Sequence, residues 1–415
     1  GYFKEVNVET LPVVGTEDQI DIVYSVEEET TGSVGGNLGY SDFGLMLGFN
    51  LQEQNFLGSG NTVGIGINKN IYSESYNISF VDPYATEDGV SLGYNIYFRE
   101  TDYGEFNVAN YLTNSNGLGA QFGYPISDIT RLGFSLTYDK TDIDIGTLPA
   151  REIYDFVAAE GNLFETLSAQ ASWQRVTLNR GLFPTSGSST VLSLSATIPG
   201  SDLNYYRANI RQRYYRPLSN NFVFGFQGEL GYLNAYGDTE ETPFFQNFYA
   251  GGPRSLRGFE SNTLGPRSTD APCYEFNYEE ETCPNLIDTD GDGVLDSPYI
   301  NPYANTTSRY RDRPIGGNIK IEGSLQLIFK LPIIEDQRSI RSAFFLDFGN
   351  VFSDNCRDYQ INCYKPSVDD LRYSYGVGVT WITGFGPLSL AIAKPSNAGP
   401  QERTEEFQFT VGNVF

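Results

Sequence analysis

The 415-residue chain contains no histidine, and this absence excludes more functions than any other feature of its composition. Without an imidazole side chain there is no histidine general base, no histidine-containing catalytic triad and no histidine ligand for zinc or haem. The sequence also lacks a G-x-S-x-G hydrolase turn and a nucleotide-binding P-loop. We therefore expect a protein that is not an enzyme.

Long apolar runs are missing as well. No segment approaches the ~20 consecutive apolar residues of a membrane-spanning helix, so the chain can cross a bilayer only with strands. Acidic residues outnumber basic ones by 52 to 27, which argues against a nucleic-acid partner because phosphates need Lys and Arg. What the chain does have is 29 Tyr and 29 Phe, and such aromatic residues favour strands.

From position 33 onward, apolar and polar residues alternate with a period of two, which is typical of strands with one apolar face. In the segment 130–144, Leu132, Phe134 and Leu136 share one face, while small or polar residues occupy the other. The same pattern recurs along the chain and predicts sixteen strands. The predicted strands cover residues 33–41, 43–55, 61–70, 73–82, 89–101, 117–125, 130–144, 165–178, 187–198, 203–216, 221–236, 317–331, 339–352, 371–383, 386–394 and 405–415.

Such strands can form a soluble sandwich or a membrane barrel, and the connections between them separate the two. Long connections follow odd-numbered strands, whereas those after even-numbered strands are short; this asymmetry and the even strand number are typical of outer-membrane barrels. We therefore predict an all-β protein in which residues 29–415 form a 16-stranded antiparallel transmembrane β-barrel. The long connections are 102–116, 145–164, 237–316 and 353–370, and we expect 237–316 to be extracellular.

Residues 1–28 form a separate unit in this interpretation. Two alternating segments flank a turn that contains proline and glycine, so they predict a hairpin of the kind that ends a small α/β module. An isolated hairpin is only marginally stable. The chain also begins in mid-pattern without a signal peptide, and we interpret it as a portion of a longer precursor.

The segment GGPRSLRGFE at residues 251–260 interrupts the strand pattern inside the longest connection. Its LRGF sequence resembles the VRGF/Y motif of the BamA-type outer-membrane assembly family. FFLDFG (344–349), GFGPLSL (384–390), the opening GYFKEV…DQIDIVYSVEE and the terminal FQFTVGNVF match the same family. The resemblance covers essentially the whole chain. It implies a barrel preceded by a remnant of the fifth POTRA domain.

In that family the motif loop folds back into the lumen, where its arginine pairs with carboxylates of the barrel wall. A guanidinium in a narrow lumen needs such a partner. If the loop instead stays at the surface, its arginines are solvated. The corresponding residues of this chain are Arg254, Leu256, Arg257, Gly258 and Phe259.

Strand parity indicates which wall residues can meet Arg257, because alternate side chains of a strand face opposite sides. Asp347 lies between lipid-facing positions and therefore points into the lumen. We predict Asp347 as the first partner of Arg257 and Glu322 as the second. Gln326 stands where the family pattern carries an acid, which weakens the second ionic anchor. The lipid-facing positions around Asp347 are Phe344, Leu346 and Phe348.

The first and last barrel strands should pair weakly. The first, GSVGGNLGY, has four glycines and few large side chains, and glycine weakens a strand. The resemblance implies a lateral gate at this junction, where exposed backbone groups pair with a client strand. The alternative is a tight barrel corner. The predicted gate residues are Gly35, Gly36, Asn37, Leu38, Gly39, Gly412 and Phe415.

Four cysteines form two close pairs in polar segments, Cys273 with Cys283 and Cys356 with Cys363. Such local pairing predicts loop disulfides in an oxidising compartment. A metal ion held by all four thiolates is the alternative, although the spacing does not resemble paired C-x-x-C knuckles.

The segment DTDGDGVLD at 288–296 has the alternating oxygen spacing of a calcium loop. Tyr299 stands where a bidentate glutamate is expected, so the site would be weak, and an uncoordinated acidic turn is the alternative. We expect no other cofactor. The candidate ligands are Asp288, Asp290, Asp292, the Val294 carbonyl and Asp296.

The resemblance implies a function: an assembly factor of the Gram-negative outer membrane that folds and inserts nascent β-barrel proteins through the lateral gate. The implied partners are nascent outer-membrane proteins, accessory lipoproteins and outer-membrane lipids. The alternatives are a two-partner-secretion or TamA-type translocation pore, a diffusion porin and, more remotely, an outer-membrane hydrolase.

Overall fold

A closed barrel of sixteen antiparallel strands dominates the fold in the computed structural model of the chain. The structure describes residues 3–15, 19–106, 108–145, 149–269, 313–331, 338–357, 360, 363–384 and 386–412. The strands are β1 (Phe3–Pro12), β2 (Ile20–Glu28), β3 (Gly32–Ser41), β4 (Gly44–Glu53), β5 (Thr62–Lys69), β6 (Ser73–Asp82), β7 (Ser91–Asp102), β8 (Leu112–Ser127), β9 (Thr130–Asp144), β10 (Leu163–Val176), β11 (Gly187–Thr197), β12 (Tyr205–Pro217), β13 (Phe222–Ala235), β14 (Gly258–Phe259), β15 (Ile319–Phe329), β16 (Ile340–Phe352), β17 (Arg372–Thr383), β18 (Gly386–Pro395), β19 (Thr404–Glu405) and β20 (Phe407–Val411). The helices are α1 (Arg151–Glu160) and short 3₁₀ turns at Phe56–Gly58, Tyr103–Phe106 and Phe244–Gln246. No helix in the described part of the chain is long and apolar enough to cross a membrane.

The barrel wall runs from β3 to β13 and continues through β15 to β18 and β20, where it closes on β3. All sixteen strands predicted from the alternation are present, so the predicted fold class is confirmed. The largest difference in bounds is at β8, which begins at Leu112 rather than at 117. The polar residues at its start also pair with β7 and β9. Apart from the barrel, β1 pairs with β2 and β14 pairs with β19.

Apolar side chains cover the outside of the barrel. One face of each wall strand carries large apolar residues that remain exposed, while their neighbours of opposite parity point into the lumen. Soluble monomers rarely expose contiguous apolar patches of more than a few hundred Å². The exposed band is therefore the surface that contacts lipid, as in other transmembrane barrels. Members of this band around the wall include Leu47, Ile78, Phe98, Phe134, Leu194, Leu230, Phe344 and Ile392.

The largest buried core lies at the end of the barrel that carries the long connections. Helix α1 turns Ile153 and Phe156 into this core, and the ring of Phe156 meets that of Phe244 edge-on with centroids 5.4 Å apart. Burial of these side chains removes apolar surface from water and therefore stabilises the packing of the connections at that end of the barrel. The core consists of Ala109, Tyr111, Ile143, Ala150, Ile153, Phe156, Phe164, Leu203, Phe244 and Ile315.

Polar links join the same connections. Cys356 and Cys363 form a disulfide in the β16–β17 connection, with Cα atoms 5.7 Å apart. The neighbouring Arg357 donates to Asp155 of α1 at 2.7 Å and also pairs with Glu241 of the β13–β15 connection. A single guanidinium therefore ties together three connections at this end of the barrel.

Candidate functional site

The motif loop, residues 250–264 of the β13–β15 connection, lies inside the barrel. An antiparallel bridge between Ala250 and Leu264 closes its base. Leu256 and Phe259 of the LRGF sequence are completely buried. The loop is therefore a packed element of the lumen and not a solvated surface loop. The buried cluster around it contains Leu233, Phe248, Ala250, Leu256, Phe259, Leu264 and Val351.

Arg257 makes a two-pronged contact with Asp347 of β16. Its Nε and Nη2 atoms donate to the two carboxylate oxygens at 2.7 Å each, and its backbone N–H donates to the same carboxylate at 3.2 Å. The guanidinium also lies 3.4 Å from the centre of the Phe345 ring and donates to Ser324 at 3.1 Å. Because Asp347 is fully buried, this bidentate partner is what makes its charge tolerable.

Gly258 lets the loop approach the wall closely. Its φ is +89°, a left-handed value that glycine adopts without strain. A Cβ atom at this position would lie 3.1 Å from Cβ of Ala393 and 3.4 Å from Cβ of Ser374. The LRGF sequence therefore needs glycine at this position for both its conformation and the available space.

The predicted second anchor has a different partner. Glu322 accepts a hydrogen bond from the Ser255 hydroxyl and pairs with Lys320 at 3.1 Å. Within the described residues, Glu322 makes no ion pair with Arg257. Glu322 therefore holds the motif loop, but at a point two residues earlier than we predicted.

The strand register explains this difference. Ser324, not Glu322, stands opposite Asp347 on the adjacent strands β15 and β16. Parity indicates the face of a strand but not the height along the barrel, and a step of two residues is roughly 7 Å. Gln326 donates to the Ser324 hydroxyl at 3.2 Å, so it joins the hydrogen bonds around Arg257 through Ser324.

Arg254 is placed differently from Arg257. Its side chain is exposed in the lumen, where it lines a cavity of about 350 Å³ with Arg341 of β16 and other residues. Unlike Arg257, the exposed Arg254 side chain is not paired with a buried carboxylate among the described residues. Of the two arginines in the motif loop, Arg257 is therefore the structural anchor.

The barrel closes at a seam between β20 and β3. Among the described residues this seam has one register pair, Val411 with Tyr40. The ring of Tyr40 also stacks on that of Phe409, with centroids 5.4 Å apart. Gly412 has a φ of +76°, and a Cβ atom there would collide with the Leu38 carbonyl oxygen. The last strand thus passes very close to the first but pairs with little of it.

The predicted gate residues of β3 lie along this seam. Gly35 stands opposite Asn50 of β4, and Asn37 stands opposite Gly48, so each glycine makes room for an asparagine side chain of the other strand. Phe415 lies outside the described residues. The remaining predicted gate residues on β3 are Gly36, Leu38 and Gly39.

Sequence analysis missed the polar contacts that connect the motif loop to the seam. Gln408 of β20 bonds to the backbone of Gly258 and Phe259, and Ser261 bonds to Asp42 between β3 and β4. Gln408 and Gly258 are 150 residues apart in the chain, and parity alone marks Gln408 only as a lumenal residue. No local sequence signal identifies its partner.

Two further sequence predictions lie outside the described residues. These are the pair Cys273–Cys283 and the candidate calcium loop at 288–296, and both stay predictions. In the part of the chain that the structure describes, no cluster of acidic or cysteine side chains is arranged to hold a metal ion.

A family model described as the Omp85 superfamily domain matches residues 55–415. This chain belongs to the Omp85 superfamily. It is 29% identical over 442 residues to the outer membrane protein assembly factor BamA of Neisseria meningitidis serogroup B, covering 100% of this chain and 51% of that relative. It is 22% identical to BamA of Nitratidesulfovibrio vulgaris, covering 100% of this chain and 45% of the relative. The Omp85 chain thus spans about half the length of these curated relatives.

Solved structures of similar proteins agree with this assignment. BamA from Haemophilus ducreyi lacking POTRA domains 1–3 has a TM-score of 0.82 and 28% identity, covering 100% of this chain and 76% of that one. CdiB from Escherichia coli, with a TM-score of 0.57, 11% identity and coverage of 99% and 68%, shares the fold. The superfamily, the barrel and these relatives identify the Omp85 chain as a β-barrel protein of the Gram-negative outer membrane. The relatives from Neisseria meningitidis and Nitratidesulfovibrio vulgaris are both named outer membrane protein assembly factors.

Proposed function

We propose that this chain is the barrel part of an outer-membrane protein assembly factor, which folds and inserts nascent β-barrel proteins through a lateral gate between β3 and β20. The observation that carries the proposal is the seam, where the described residues form one register pair. A strand edge with unpaired N–H and C=O groups is a template for another strand. A client strand that adds to this edge gains backbone hydrogen bonds without any enzymatic step.

The motif loop supports an assembly role over a diffusion role. A porin needs a water-filled lumen. Here buried Leu256 and Phe259 and the Arg257–Asp347 pair hold the loop inside the barrel. Since the sequence carries no nucleotide-binding motif, the free energy for insertion would come from the folding of the client itself.

The hairpin of β1 and β2 is proposed to complete a POTRA module that precedes the barrel. Val8 pairs with Tyr24 in this hairpin, and both side chains are exposed on its apolar face. Such a face is normally covered by another element. Slower amide exchange in β1 and β2 of a longer chain would support the packing of this face against the rest of the module. We also propose that accessory lipoproteins bind these amino-terminal modules.

A reversible lock of the seam tests the proposed function. Tyr40→Cys with Val411→Cys places two thiols at the register pair that closes the barrel. In cells that depend on this protein, we expect oxidation of the pair to stop growth and deplete outer-membrane barrels, and a reductant to restore both. The matched control is Leu118→Cys with Tyr138→Cys, a register pair between β8 and β9 that should have no effect.

The outcome separates the alternatives. If the locked seam leaves growth and all outer-membrane barrels intact while the cross-link is complete, insertion through this seam is wrong. If only one exported protein disappears from the locked cells, the secretion-pore alternative is favoured instead.

A further inference from the structure

The seam is held by more than its own strand pairing. A cavity of about 390 Å³ lies on its lumenal side, between the motif loop and the strands. Where this cavity lies, side chains of the loop and the seam do not pack against each other. Polar contacts beside the cavity join the loop to β20 and to the turn after β3.

Gln408 makes the first of these contacts. It is the lumen-facing residue between Phe407 and Phe409, and only 2% of its surface is exposed. Its Nε2 atom donates to the carbonyl oxygen of Phe259 at 2.7 Å, and its Oε1 atom accepts from the N–H of Gly258 at 3.2 Å. One side chain thus satisfies a donor and an acceptor of the motif backbone, as a neighbouring strand would.

The segment before β20 extends this contact. Gly258 and Phe259 form β14, which pairs with β19. The next residue of the loop, Glu260, donates its N–H to the carbonyl of Arg403 at 3.0 Å and pairs with the Arg403 side chain at 3.3 Å. The motif loop is therefore docked along the chain that leads into the last strand.

Ser261 makes the contact on the other side of the seam. Its hydroxyl donates to the carboxylate of Asp42, in the turn that joins β3 to β4. Only one residue, Glu260, separates Phe259, which is bound by the last strand, from Ser261, which is bound by the first hairpin. A short stretch of the loop thus bridges the two edges that meet at the seam.

The same loop is fixed to the wall at a third point. Asp347, the partner of Arg257, lies on β16, which is separated from β20 by β17 and β18. A loop that is anchored to the wall and bound to both edges of the seam restrains their relative movement. Such contacts contribute most to holding the two edges together where the edges share the fewest backbone hydrogen bonds.

We propose that Gln408 is a positioning residue that couples the motif loop to the seam, so that the docked loop braces β20 against β3. Opening of the seam then requires the Gln408 and Ser261 contacts to break. The idea that this coupling controls a gate for client strands rests on the proposed function. The idea that it stabilises the seam of the folded barrel does not.

Hydrogen exchange of backbone amides tests the coupling without any client. The chain is reconstituted in lipid nanodiscs, and exchange is followed by mass spectrometry in peptides from β3, β20, β8 and β9. We expect Gln408→Leu to accelerate exchange in β3 and β20 by roughly tenfold or more, because the two hydrogen bonds between the Gln408 side chain and the motif backbone are lost. Exchange in β8 and β9 should not change.

Gln170→Leu is the matched control. Gln170 lies in the lumen-facing wall of β10 and lines a cavity away from the motif loop. It should leave the seam amides as in the unmodified chain. Unchanged exchange in β3 and β20 of folded Gln408→Leu overturns the proposal, and so does an equal acceleration in β8 and β9.

A second variant decides the question if Gln408→Leu does not fold. Ser261→Ala removes the contact with Asp42 from a loop position outside the wall strands. It should accelerate exchange in β3 and β20 in the same direction, and no acceleration overturns the brace. Failure of this test would not change the result of the cysteine lock at Tyr40 and Val411. The proposed coupling and the proposed function can therefore fail separately.

Discussion

The seam and the opposite wall of the barrel are built very differently. In the wall, β8 and β9 contain 16 and 15 residues, and their register extends from Leu112–Asp144 to Ser127–Thr130. At the seam, β20 contains 5 residues, and its described contact with β3 is a single register pair. At about 3.4 Å per residue, these strands measure roughly 50 Å and 17 Å. One closed barrel thus combines the long strand pairing of β8 with β9 and the short described pairing of β20 with β3.

The difference shows that closure of a barrel does not make its stability uniform. Local opening needs little free energy where few backbone hydrogen bonds and apolar contacts must break. We expect the wall to keep its register if the seam opens, because the wall strands are long and paired on both sides. The comparison predicts where substitutions should be costly and where they should act on the seam alone.

Loss of the wall anchor should have the largest effect. Arg257→Ala leaves the buried Asp347 carboxylate without its cation, and removal of one partner of a buried pair costs about 3–5 kcal/mol. The free energy of unfolding, measured with urea for the chain in lipid vesicles, should fall by that amount. Arg254→Ala is the matched control on the same loop; because Arg254 is exposed, it should change stability by about 0.5 kcal/mol or less.

Equal effects of the two arginine substitutions would contradict this reasoning. The loop would then be held mainly by the apolar cluster around Leu256 and Phe259. The seam contacts, rather than the wall, would become the dominant polar restraint on the motif loop.

Sequence patterns predicted the barrel wall and, within the candidate site, the pair of Arg257 with Asp347. The sixteen strands were predictable because each alternates with the period of a strand, and parity alone indicated that Asp347 faces the lumen. The partners of Glu322 and Gln408 were not predictable. They depend on the register between strands and on the path of a loop through the lumen, and neither leaves a periodic signal in the sequence.

A glycine substitution at the seam should have a smaller effect than loss of the anchor. Gly412→Ala places a Cβ atom against the Leu38 carbonyl at a φ of +76°, a conformation that costs alanine about 1–3 kcal/mol. We expect faster amide exchange in β3 with little change in β8 and β9. Gly36→Ala, on the lipid side of β3, meets open space and should leave exchange at the seam unchanged. Similar results for both glycines would mean that close passage of the last strand does not stabilise the seam.

The smallest expected effect on stability is that of a substitution in α1, in the connection between β9 and β10. Glu152 of α1 is buried and accepts the N–H of Thr269 at 3.0 Å. Burial raises the pKa of Glu152 above its ordinary value of 4.5, so the folded state binds a proton more tightly than the unfolded state. The stabilisation is complete below pH 4.5 and is lost as the pH rises through the folded pKa.

Glu152→Gln should remove this pH dependence, because an amide does not titrate and still accepts the Thr269 hydrogen bond. As the pH rises from 4.5 through the folded pKa, we expect the unfolding free energy of the unmodified chain to fall relative to that of the variant. Glu160→Gln, at the end of the same helix, is the control and should keep the slope of the unmodified chain. Because α1 lies in the connection between β9 and β10, away from β3 and β20 in the strand order, amide exchange at the seam should be the same in both variants. If exchange at the seam follows the protonation of Glu152, the loops and the seam form one cooperative unit, and the contrast between wall and seam is weaker than the strand lengths indicate.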